Sequence, residues 1–204
     1  MGPHVPNAEL TRHHDSPGDD RMWVHGRPEP TPITVVDYDE SWPAQFDRVA
    51  ARVRAALGRR ALAVEHVGST SVPGLPAKPI IDVALTVADP ADEAAYVPDL
   101  AAAGFVLVIR EPGWHEHRAL KLADPNTNLH VWGPDCPEVA RQLMFRQWLI
   151  DHPEDLARYR DAKLAAAAAT NAVGEIVTAY NRHKEPVIRD IYDRMFREHG
   201  LLEG

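Results

Sequence analysis

The chain has 204 residues, a formal net charge of -8, 45% hydrophobic and 25% charged residues, and one cysteine. These are values of an ordinary globular domain able to bury a core. The acidic balance gives no basis for a nucleic-acid partner, and a lone cysteine excludes an internal disulfide. With no signal-like segment and no apolar run near a membrane's width, the expectation is a cytoplasmic protein with no membrane partner.

Residues 1–32 collect Pro3, Pro6, Pro17, Pro28, Pro30 and Pro32 among polar residues without apolar periodicity, which reads as a flexible N-terminal tail. His13 and His14 stand side by side there, and adjacent histidines in a polar tail are ordinarily solvated, so metal binding by them is set aside. From Ile33 an apolar run leads to a helix with Trp42, Phe46, Val49, Val53 and Leu57 on one face, Pro43 in its first turn and Gly58 at its end. "ALAVEHV" (61–67) follows as a strand, with Ala63, Glu65 and Val67 on one side and Leu62, Val64 and His66 on the other.

A loop, 68–79, separates it from "IIDVALTV" (80–87), an apolar and β-branched strand broken only by Asp82. An alanine-rich helix over 91–103 closes at Gly104, and further strands are expected at 105–109, 117–122 and 128–132. Beyond Pro137 the pattern is helical to the end, with Ala140, Met144 and Trp148 in one row and the 165–169 alanine run inside a helix. Three regions result: the tail at 1–32, an α/β core at 33–135 built on a mixed β-sheet with flanking helices, and a helical region at 136–204 packed on that core.

Chemistry concentrates in "VEHVGSTSVPGLPAKPIIDV" (64–83). Gly68 has no side chain to keep backbone amides from an anion, and Ser69 adds a hydroxyl, so the turn suits a phosphate; Thr70 and Ser71 offer further hydroxyls that also cap local backbone. Asp82, a carboxylate on an apolar strand, requires a hydrogen bond, a counter-charge or a metal. Lys78 can neutralise phosphate from the same loop. A cluster at 110–121 brings Arg110, His115, Glu116, His117, Arg118 and Lys121 together, with Arg118 suited to bidentate phosphate contact. Cys136 has no partner base in sequence and reads as structural.

A Gly-Ser turn, residues 70 to 81, and then an aspartate on a strand resembles the nucleotidyltransferase superfamily. Together with "YDESWPAQF", "NLHVWGPD" and "AYNRHKEPVI", the central motif is similar to the GrpB family, also classed as UPF0157. The resemblance spans about Ile33 to Phe196 and implies a nucleotidyltransferase-like α/β core followed by helices; in some proteins a similar domain is fused to dephospho-coenzyme A kinase.

The expected substrate-binding residues are Gly68, Ser69, Thr70, Lys78, Arg118 and Lys184, Asp82 is the expected Mg²⁺ ligand with help from Glu65, His66 or His130, and His130 or His117 is the expected base. Lys184 matches the lysine of the family's Tyr-x-x-x-Lys pattern, and His117-Arg118 its His-Arg pair. Two departures stand out: Ala84 occupies the position of the superfamily's second acid, and Asn128 that of the first histidine of a His-Leu-His-Val element. The expected activity is Mg-dependent transfer of a nucleotidyl group from a nucleoside triphosphate to a small acceptor. The alternatives are a non-catalytic nucleotide- or coenzyme-binding module, favoured by Ala84, and a ligase working through a nucleotidyl intermediate.

Overall fold

The computed structural model describes residues 5–14, 20–174 and 177–202. Helices α1 (Asn7–Thr11) and α2 (Trp42–Leu57) precede strands β1 (Ala63–Val67) and β2 (Ile81–Thr86). Helix α3 (Val97–Ala102) then leads to β3 (Val106–Glu111), β4 (His117–Leu122) and β5 (Thr127–Trp132), and α4 (Pro137–Asp151), α5 (Pro153–Val173) and α6 (Val177–Glu198) complete the chain. The strands form one sheet in the order β1-β2-β5-β4-β3. The β2–β5 pair is parallel and the others are antiparallel.

Strand alternation divides the sheet chemically. Val64, Val83, Leu85, Leu120, Leu129 and Val131 are buried in a core with Val49, Val53 and Leu57 of α2 and Leu100 of α3. The register aligns Val67 with Asp82 and Asp82 with Asn128, and Glu65 with Ala84 and Ala84 with His130, so these residues share the opposite, polar face. A second core joins the helices: Trp148, Leu149, Tyr159, Ile191, Met195 and Phe196 enclose Val72 and Leu75 from the loop between β1 and β2. That loop is therefore pinned from both ends, by the sheet and by the helical region.

The expected helix over 91–103 is shorter than its alanine content suggests: a single tight turn at Glu93–Ala95 precedes α3. Pro98 sits in the first turn of α3, and its ring would collide with the carbonyl four residues back in a continuous helix. Part of the stretch expected as a tail is docked. Leu10 of α1 is buried, Arg141 of α4 donates to the carbonyls of Leu10 and Arg12, and Trp23 bridges to Ile109. Residues 1–4 and 15–19 of that stretch lie outside the described residues.

Candidate functional site

Gly68 turns the chain out of β1 with φ 71°, a conformation that only glycine adopts readily, and a Cβ there would lie 2.4 Å from Asp82 Oδ2. The turn thus presses its backbone onto the Asp82 carboxylate. Ser71 Oγ donates to Gly68 O at 2.6 Å, fixing the turn from within. Ser69 lines a cleft of about 150 Å³ with Gly68, Arg146, Tyr159 and Tyr192. Thr70, expected to touch substrate, is instead buried, its hydroxyl donating to Ile80 O at 3.3 Å and lying 3.1 Å from His66 Nε2. His66 itself stacks on Phe46 of α2 with ring centroids 4.7 Å apart, on the face away from Asp82. Burial pushes its pKa down to about 4.

Asp82 accepts a hydrogen bond from Asn128 Nδ2 at 2.8 Å, and His130 Nε2 stands 3.8 Å from the same oxygen. Burial alone would raise the carboxyl pKa, but His130, Asn128 and Lys78 outweigh it and hold Asp82 below its ordinary value. Asn128, the departure from the histidine pattern, therefore serves as an amide donor to the aspartate.

Behind His130 runs a chain of hydrogen bonds. His130 Nδ1 is 3.0 Å from His117 Nε2, and His117 Nδ1 is 2.7 Å from Glu111 Oε2. Burial pushes His117 down to about 4, so at neutral pH its ring carries one proton. Glu111 accepts that proton's bond at Nδ1, which makes His117 Nε2 an acceptor and His130 Nδ1 a donor. In a neutral His130 the free lone pair then sits on Nε2 and faces Asp82. His117, expected as a base, is 3% exposed with both ring nitrogens engaged, and its role is to position His130.

Two lysines from other elements, Lys78 and Lys163, feel the charge of Asp82, and a third, Lys184, acts on both of them. Lys78 of the loop and Lys184 of α6 both lie over the Tyr180 ring, at 5.1 and 4.6 Å from its centroid. Lys163 of α5 is 1% exposed, and its Nζ has no hydrogen-bond partner among the described residues. Burial, then repulsion from Lys184 and Lys78, opposed by attraction to Asp82, push Lys163 down to about 6. Burial, then repulsion from Lys184 and Lys121, opposed by attraction to Asp82, takes Lys78 to about 8. Three lysines about one carboxylate in a poorly solvated place cannot all stay charged, and a polyanion such as a phosphate chain would draw protons back onto the depressed amines and be neutralised by them.

Sequence reading missed Lys163 because it lies beside an alanine run. The available signal was its position: Asp155, Tyr159, Lys163, Ala166 and Thr170 form the buried stripe of α5, and a lysine in such a stripe is costly unless it has work to do.

One expected substrate ligand stands elsewhere. Arg118 lies on the α2–α3 face of the sheet, its Nε 2.7 Å from Glu93 Oε1 and one Nη donating to Glu116 O at 2.8 Å. Glu93 also takes two bonds from Arg110, so this cluster is a closed ionic network under α3, away from Asp82. The register gives the reason, since Arg118 pairs with Val131 and so points with the apolar residues. Glu65 does share the Asp82 face, but among the described residues no three-ligand metal cluster forms around Asp82 and Glu65. A Mg²⁺ here would depend on Asp82, with substrate phosphates and water completing its oxygen shell, as that ion commonly accepts.

A family model described as GrpB protein matches residues 32–194. The chain belongs to the GrpB family. It is 53% identical over 137 residues to a UPF0157 protein of Halalkalibacterium halodurans, covering 67% of this chain and 70% of the relative. It is also 35% identical over 190 residues to a dephospho-CoA kinase of Mycolicibacterium paratuberculosis, covering 80% of this chain but 46% of that protein. Among solved structures, the conserved protein GrpB from Enterococcus faecalis superposes with a TM-score of 0.71 at 28% identity, covering 81% of this chain and 99% of that one. The GrpB match includes Gly68, Asp82, His130 and the three lysines and leaves α1 outside it. Among the described residues no helix is long and apolar enough to cross a membrane.

Proposed function

We propose that this GrpB protein binds the phosphates of a nucleoside triphosphate between Asp82 and the three lysines and transfers the nucleotidyl group to a small acceptor. The observation that carries this reading is Lys163: a buried amine whose Nζ has no hydrogen-bond partner among the described residues, lies 5.2 Å from the Tyr159 ring centre, and interacts electrostatically with Lys184, Lys78 and Asp82.

Mg²⁺, when bound at Asp82, would orient the phosphates and stabilise charge in the in-line displacement. The protein supplies the rest. The Gly68–Ser69 turn receives phosphate oxygens, and the lysines balance charge on the departing pyrophosphate. The acceptor forms a new bond to the α-phosphorus as the bond to pyrophosphate breaks. Its proton goes to the Nε2 lone pair of His130, which His117 and Glu111 hold in place and which the nearby Asp82 stabilises once charged.

One observation favours a second reading. Ala84, at the place of a second acid, is 1% exposed and packs with Val67, Trp132 and Cys136, so the chain lacks the second carboxylate of a two-metal site. A binding module for a nucleotide or a coenzyme such as dephospho-coenzyme A needs only the turn and the lysines. Calorimetric titration with nucleoside triphosphates and dephospho-coenzyme A, with and without Mg²⁺, separates the two when paired with an assay for pyrophosphate release. The transferase requires metal-dependent binding that Asp82→Asn removes, and pyrophosphate release. Binding that survives chelation, without turnover, identifies the module, and failure to bind any of these ligands refutes both.

A further inference from the structure

A second cluster lies at the turn of the β3–β4 hairpin and is made of residues that the Asp82 site does not use. His14 from the N-terminal segment, His115 from the hairpin turn and Glu138 from the first turn of α4 each bring one ligating atom within 4.8 Å of the other two. The Nε2 atoms of His14 and His115 are both buried, and neither has a hydrogen-bond partner among the described residues. The two rings stand at 80° with centroids 5.4 Å apart. His115 and Glu116 both adopt a left-handed backbone, φ 52° and 53°, which brings consecutive side chains into an uncommon orientation. Glu138 has one close cation, Arg141, whose Nε lies 3.4 Å from Oε1.

Burying two imidazole nitrogens without partners at one point beside a carboxylate has no evident benefit to the apoprotein. It is the donor set of a borderline divalent metal, two histidines and a glutamate, with a fourth position left for water. We propose that His14, His115 and Glu138 form a zinc-type site that clasps the N-terminal segment to the β3–β4 turn and the start of α4. The isolated reading of His14 as a solvated tail residue is thereby replaced: the segment reaches the body of the protein, and the histidine meets its partners there.

The clasp adjoins the cleft through aromatic contacts. Trp114 lies 6.5 Å from His14, 6.3 Å from His115 and 5.2 Å from His117, ring centre to ring centre, and His117 in turn bonds His130. A metal at the turn would fix the hairpin whose strand carries His117. Because His14 lies outside the region matched by the family model, the clasp is a feature that this chain adds to the shared core.

The test is titration of tag-free, chelator-stripped full-length protein with Co²⁺, read by visible absorption, followed by displacement with Zn²⁺. The expected result is one equivalent with a low-coordinate cobalt spectrum, and at least about 100-fold weaker binding in His14→Ala and in His115→Ala, since even outer-shell changes cost up to that much. Asp82→Asn should leave this binding unchanged. Absence of stoichiometric uptake overturns the proposal, as does uptake that persists in both histidine variants and disappears in Asp82→Asn. His14→Ala decides the matter if His115→Ala does not fold, because α1 and its flanks lie outside both the sheet and the main core.

Discussion

The central residue is Lys163. Its pKa in the folded protein, about 6, is far below the 10.5 of a free lysine, so between these values the unfolded chain binds a proton that the native state does not. Stability therefore rises with pH across that window and is lost as pH falls toward 6. Lys163→Met removes the proton difference. Denaturant unfolding of the variant should be less steeply pH-dependent than wild type between pH 6 and 9, and the variant should be the more stable near pH 6. Equal slopes would mean that the lysine is solvated. Gly68 carries a second prediction: Gly68→Ala places a methyl against Asp82 Oδ2 and forces an alanine into φ 71°, ψ −170°, a region essentially confined to glycine and costing about 1–3 kcal/mol. Chemical denaturation should show at least that loss, and titration should show loss of phosphate binding.

At the level of elements, the continuous apolar run of β2 and the helical spacing of α2 were legible, because each depends on a local pattern. The Gly68 turn and Asp82 were legible for the same reason, lying on either side of one loop. What sequence could not give was sidedness. Arg118 and His117 adjoin in β4 but point to opposite faces, and only the pairing of β4 with β5 decides which face holds the aspartate. Lys163 and Lys78 are far apart in the chain, and their meeting depends on how α5 packs. Arg118→Ala is accordingly expected to act on stability: it breaks a largely buried ion pair with Glu93, at a cost of about 3 kcal/mol, and leaves phosphate affinity unchanged. A large loss of affinity with normal stability would return Arg118 to the site. Leu75, fully buried where the loop enters the helical core, should cost about 2–5 kcal/mol as Leu75→Ala and loosen the turn it anchors. Thermal unfolding and pyrophosphate titration of that variant measure the two effects.

For the whole molecule, the net charge of -8 and the lysine cluster are two sides of one arrangement. On the proposed function, an acidic exterior would disfavour extended polyanions such as nucleic acids, while the local lysine cluster would attract a small one. The sheet supplies Asp82, His130 and Asn128, the loop supplies Gly68, Ser69 and Lys78, and the helices supply Lys163 and Lys184, so the cleft exists only when sheet and helical region are packed together. The measurement that tests this most directly is calorimetric titration of wild type and Lys163→Met with pyrophosphate at pH 7.5, in buffers of different ionisation enthalpy. Wild type should bind with net proton uptake, because the anion recharges Lys163 and Lys78, and the variant should bind more weakly with less uptake. Binding without proton uptake, or binding unaffected by Lys163→Met, would contradict the account.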